Sequence, residues 1–238
     1  MPENHIASAF DRDLEDIQAQ IMKMGGLVER AIIDAADSLA ARDEEKAEEI
    51  RLKDKEIDAL EEKINEESAT LIALRAPTAI DLRLILSVLK ISGNLERIGD
   101  YAKNMAKRTS VLVQLTEIDE AHVSLKRMAR DVSLMLKDAL DAYIRRDAEL
   151  AHDVIRRDRE IDQLYNALFR EFLTFMMEDP RNITACMHLH FIAKNTERMG
   201  DHVTSIAEQT VYLVTGERPD EARQKEDRTS VDARVSEV

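Results

Sequence analysis

Apolar residues recur along this chain at helical spacing, and no stretch shows the alternation of a strand. Ile57, Leu60, Ile64, Leu71 and Leu74 follow a 3-4 pattern, and Ile161, Leu164, Leu168 and Phe175 repeat it later. Such stripes predict amphipathic helices joined along a bundle seam. A second stripe, Ile91, Leu95, Ile98, Ala102 and Met105, is matched by Ile192, Thr196, Met199, Val203 and Ile206. Asp43 and Asp147 each precede an acidic residue in the next turn and are expected as N-caps. Pro77 and Pro180 are expected to start the third helices, because proline is tolerated in a first turn. The first helix is placed at about Ile6 to Ala41 and its counterpart at about Asp119 to Arg145. The fold class is therefore all-α, with six helices in two tandem, internally repeated three-helix bundles packed side by side.

The repeat is written into the sequence. Asp54-Lys55-Glu56-Ile57-Asp58-Ala59-Leu60 aligns with Asp158-Arg159-Glu160-Ile161-Asp162-Gln163-Leu164. Asn94-Leu95-Glu96-Arg97-Ile98-Gly99-Asp100 aligns with Asn195-Thr196-Glu197-Arg198-Met199-Gly200-Asp201. This alignment divides the chain into a first bundle (1–115), a second (116–216) and a polar tail (217–238) expected to be disordered.

Each copy of the second phrase places a Glu and an Asp four residues apart with a Gly between them. On a helix the two carboxylates share a face, roughly 5–6 Å apart at Cβ, where like charges repel. A glycine inside a helix costs about 1 kcal/mol against alanine. Two unfavourable features kept in both copies imply compensation, and a bound cation is the first candidate. At about 100° per residue, Glu96, Asp100 and Asn104 lie opposite the apolar stripe, as do Glu197, Asp201 and Ser205.

The plain alternative is a solvated face, with Arg97 or Lys103 as ion-pair partners. Earlier in each helix, however, the same face is apolar, carrying Leu82, Ile85 and Leu89, then Ile183, Cys186 and His190. The carboxylates therefore continue a covered face. Oxygen ligands of this kind suit Mg²⁺, Mn²⁺, Ca²⁺ or iron more than zinc. Glu96, Asp100, Glu197 and Asp201 are the metal candidates, with Asn104, His190 and Ser205 as secondary ones. A packed histidine is the plainer reading of His190, and His188 on the apolar stripe is weaker still.

Composition narrows the function classes. Aromatics at 4%, 6 Gly, 4 Pro and no Trp favour helices, and 44% hydrophobic residues supply a core. A formal charge of −14 argues against nucleic acid and against direct binding to anionic lipid. Cys186 stands alone within an apolar run and reads as a core filler, in keeping with a reducing compartment. The first residues lack the basic and apolar regions of a secretion signal, so a cytoplasmic location is expected.

Taken together, these phrases resemble the PhoU family, regulators of bacterial phosphate uptake. The resemblance runs from about Ser8 to Gly216 and includes Asp54 to Asp58, Arg75-Ala76-Pro77, Asp81-Leu82-Arg83, Leu95 to Asp100, Met177 to Pro180 and Glu197 to His202. It implies metal at the Glu-x-x-x-Asp motifs, with iron, Mn²⁺ or Mg²⁺ as the ion. The partners it implies are the ATPase subunit of an ABC phosphate transporter and a membrane sensor histidine kinase. In that role the protein holds the phosphate-starvation response off when phosphate is plentiful, and it meets the membrane only through those partners. Asn94 replaces a common acid, Ser205 a common Asn, and Asn182 and Thr184 stand at the positions of Asp81 and Arg83. The second site is accordingly expected to be poorer in ligands.

A non-enzymatic regulator is the leading function, since no P-loop, nucleophile–base pair or dinucleotide fingerprint is present. Alternatives are an accessory of a different phosphate transporter and a metal-free helical adaptor. A carboxylate metal oxidase needs two Glu-x-x-His motifs, and only Glu149 to His152 matches. The acidic helical faces also permit a homodimer.

Overall fold

The computed structural model describes residues 3–118, 121–217 and 219. These fold into six long helices: α1 (Glu3–Ala41), α2 (Glu44–Arg75), α3 (Ala79–Leu112), α4 (Ala121–Arg145), α5 (Ala148–Glu178) and α6 (Ile183–Thr215). Asp119 and nearly all of the tail lie outside the described residues, and with them the expectation of disorder.

Both predicted N-caps form. The Asp43 carboxylate accepts from Lys46 N at 2.9 Å, and Asp147 accepts from Leu150 N at 3.0 Å. The turns before them are also twins, with Arg42 (φ 51°) and Arg146 (φ 56°) in the left-handed region. The prolines differ from expectation. Pro77 lies in the non-helical link Ala76–Thr78, and α3 begins only at Ala79. Pro180 opens a single 3₁₀ turn, Pro180–Asn182, ahead of α6. A proline disfavours the right-handed helical conformation in the residue before it: Asp179 is extended (φ −143°, ψ 113°) and Ala76 is left-handed (φ 44°, ψ 55°), so the proline marks the break better than the helix start.

α1, α3, α6 and α4 form a closed ring in which each packs on the next, while α2 covers the α1–α3 groove and α5 the α4–α6 groove. Each three-helix bundle is therefore joined to the other through two of its helices. The stripes on α3 and α6 are fully buried and meet in the middle of the ring, where Thr196 Oγ1 lies 3.6 Å from Met105 Sδ. Asn94 pairs with His202, and Arg108 with His188, so α3 and α6 run antiparallel. Of the α2 seam, Ile57, Ile64 and Leu71 are buried and Leu60 is half-buried, whereas Leu74 is 75% exposed. Leu74 belongs to the last turn of α2, where it lines an open groove with Asp13 and Asp16 of α1 instead of packing on α3.

Candidate functional site

The face opposite each stripe is the one that α2 and α5 cover. Ile85 and Cys186 on that face are buried, as expected, while Ile183 at the first turn of α6 is exposed. Gly99 and Gly200 face side chains of the covering helices at short range. A β-carbon at Gly99 would lie 3.1 Å from Ile57 Cδ1, and one at Gly200 would lie 3.2 Å from Asp158 Oδ1. Close helix packing thus explains both glycines without a cation.

The same approach brings more carboxylates to the motif than sequence reading assigned. Asp54 of α2 is 5% exposed and Asp158 and Asp162 of α5 are 8% and 3% exposed, beside Glu197 at 2%. Burial raises the Asp54 pKa, with further contributions from Asp58 and Asp100. Burial also raises Glu96, followed by its neighbours Asp100 and Asp58. In the first half, Asp54, Asp58, Glu96 and Asp100 therefore share one acidic field across the α2–α3 groove. Asp158, Asp162, Glu197 and Asp201 are their repeat equivalents on α5 and α6. The signal for the missed residues was available: Asp54/Asp58 and Asp158/Asp162 have the same four-residue spacing as the motif.

The first cluster contains its own cation. Lys103 Nζ hydrogen-bonds Asp54 Oδ2 and also Asp100 Oδ1, the latter at 2.7 Å. Burial opposes the Lys103 charge, but the bonds to Asp100 and Asp54 outweigh it and push the ammonium pKa up. Arg97 adds looser pairs, 3.6 Å to Glu96 and 3.9 Å to Asp100. At the second cluster Lys194 reaches Glu197 at 3.0 Å, while Thr204 stands at the position equivalent to Lys103.

The secondary candidates fall unevenly. Asn104 is exposed, and Ser205 Oγ donates to the Asp201 carbonyl at 3.0 Å. His190 packs among the rings of Tyr165, Phe169 and Phe191, at 5.4–5.9 Å between centroids. Cys186 is buried, and burial raises its thiol pKa, as suits a core filler. Among the described residues, no three His, Cys, Asp or Glu side chains converge as a ready metal-ligand set. The donor chemistry nonetheless fits a hard cation: oxygen ligands from two helices around a point already holding a positive charge.

Fold and site together define an all-helical, internally duplicated protein, and comparison with known proteins gives its family. Residues 21–109 and 125–210 each match the PhoU domain. A "Phosphate-specific transport system accessory protein PhoU homolog" of Zymomonas mobilis is 47% identical over 223 residues, covering 93% of this chain and 94% of that protein. One of the same description from Rhizobium meliloti is 43% identical, covering 97% of both chains. The crystal structure of PhoU from Pseudomonas aeruginosa superposes with a TM-score of 0.85 at 39% identity, over 87% of this chain and 100% of that one. The phosphate transport system regulatory protein PhoU from Streptococcus pneumoniae gives 0.81 at 34% identity, over 89% and 99%. The chain belongs to the PhoU family. Among the described residues, no helix is long and apolar enough to cross a membrane.

Proposed function

We propose that this chain is an accessory protein of a phosphate transport system that regulates uptake from the cytoplasm by binding rather than by catalysis. In this reading it contacts the ATPase subunit of the ABC transporter and a membrane sensor histidine kinase. It keeps the starvation response off in high phosphate and works as a homodimer. The family match over both halves carries the assignment. A deletion strain that still represses phosphate-starvation genes in high phosphate would refute it.

The duplicated acidic grooves support a divalent cation at each half. Asp54, Asp58, Glu96 and Asp100 would hold one, with Lys103 swung out. Asp158, Asp162, Glu197 and Asp201 would hold the other. A metal bound there supplies charge neutralisation that fixes the spacing of α2 on α3 and of α5 on α6. Elemental analysis of the purified protein beside the variant lacking Glu96, Asp100, Glu197 and Asp201 tests this directly. Stoichiometric iron, Mn²⁺ or Mg²⁺ in the parent alone is the expected result.

One observation favours a second reading. Because Lys103 already offsets part of the charge of Asp54 and Asp100, the first groove has a cation of its own without metal. No metal in either protein after incubation with Mg²⁺, Mn²⁺ and Fe²⁺ would make the chain a metal-free adaptor.

A further inference from the structure

The seam between α3 and α6 comes to the surface along one side of the molecule, where cations of both helices, among them Lys90, Arg97 and Arg198, are exposed. The whole chain carries a net −14. Yet every third or fourth residue from Arg83 to Arg108 on α3, and from Met187 to Tyr212 on α6, is free of Asp and Glu. Cations occupy many of those positions instead, and three arginines are held against rings or a phenol of the opposite helix.

Arg83 Cζ stands 5.2 Å from the Tyr212 ring centroid, and Arg108 Cζ stands 4.3 Å from that of Phe191. Between them, Arg198 stands beside Tyr101, whose ring centroid lies 5.7 Å from that of His202, with Glu197 and Asp201 also acting on its charge. A guanidinium stacked on a ring keeps its N–H edge available and is pre-organised for bidentate contact with a carboxylate. Arg108 shows this most clearly. Among the described residues it has no carboxylate within 4.0 Å, its polar neighbour being His188 Nδ1 at 3.3 Å. Beside it, Phe191 (43%), Met187 (40%) and Val111 (40%) are large apolar groups left in contact with water.

Isolated surface arginines would find carboxylates readily on so acidic a protein. Carboxylates of the two grooves flank the middle of the strip, where Arg97 pairs with Glu96 and Asp100. At its ends, however, Arg83 and Arg108 are set over rings beside exposed apolar groups, an arrangement that complements a surface of the opposite sign. From Arg83 to Arg108 the strip extends about 38 Å along the helix, enough for several turns of a bound segment. We propose that the α3–α6 strip is the docking surface for an acidic segment of a protein partner, with Asp or Glu side chains interspersed with apolar ones. The inference does not depend on metal in the grooves.

The test is fluorescence anisotropy of the full chain with a labelled peptide of repeating Glu-Glu-Leu units. Its Lys-Lys-Leu counterpart and phosphatidylglycerol vesicles serve as the other probes. The variant Arg83→Gln/Arg108→Gln/Arg198→Gln is expected to bind the acidic peptide about tenfold more weakly. Arg127→Gln/Arg145→Gln/Arg156→Gln, which alters net charge equally at exposed sites on α4 and α5, should stay within about twofold of the parent. Arg108→Lys, which keeps the charge but loses the planar fork, should fall between them if the stacked geometry matters as proposed. Equal losses in both triple variants would overturn the proposal, as would absence of acidic-peptide binding or preferential binding to the vesicles. A strip variant that turns from dimer to monomer with unchanged peptide affinity would overturn it too, by making the strip a self-association surface.

Discussion

The ammonium of Lys103 on α3 hydrogen-bonds the buried carboxylate of Asp54 on α2. The same ammonium also bonds Asp100, and so offsets part of the charge of the first acidic groove from within the chain. Removing the cation leaves Asp54 buried among like charges. Lys103→Gln is expected to cost about 1–3 kcal/mol, measured by urea unfolding without metal. Added Mn²⁺ should restore part of this loss by mass action, and by more than it stabilises the parent. A variant as stable as the parent without metal would show that the pair contributes nothing net.

The glycines respond in opposite ways to the same change. Gly26 is exposed within α1 with nothing within 4 Å of an added β-carbon, so Gly26→Ala should stabilise by about 0.5–1 kcal/mol. At Gly99 the same gain is opposed by Ile57 at 3.1 Å, which is held in the core. Gly99→Ala should therefore be near neutral, and Gly99→Val should destabilise by about 2 kcal/mol or more. The urea midpoints of the three variants check the order.

Arg42 closes the far end of the first bundle. Its Nη2 donates to the carbonyls of Leu112, Val113 and Leu115 at 2.7–2.9 Å, serving the C-terminus of α3 from the α1–α2 turn. Charge-assisted bonds to terminal carbonyls suit the helix dipole. Arg42→Met should cost about 1–3 kcal/mol. Hydrogen exchange should rise first at the end of α3.

Across the two bundles, Lys126 of α4 meets Asp37 of α1 at 2.7 Å. The hydrogen bond from Lys126 is the largest cause of the lowered Asp37 pKa, with burial acting against it. A lowered carboxylate pKa stabilises the fold above the ordinary value, and the contribution disappears as pH falls through the lowered one. Both groups are well solvated, so Lys126→Ala should cost under about 1 kcal/mol at neutral pH and less in high salt. The difference from the parent should vanish on acidification.

What was legible in the sequence was local. The 3-4 stripes, the Asp43 and Asp147 caps and the duplicated phrases each depend on residues within a turn or two, where helical periodicity alone places side chains. The opposition of Glu96 and Asp100 to their stripe followed from the same periodicity. Contacts between helices decided the rest. Gly99 looked like a cost that needed a cation because Ile57, 42 positions earlier in the chain, was out of view. Asp54 read only as part of a helix until α2 lay on α3 and buried it against Lys103. Arg42 showed no partner until folding brought it to carbonyls of residues 112–115. The spacing of carboxylates is a property of one helix. Whether they meet a lysine or a metal depends on which helix covers them, and burial settles that only in the folded chain.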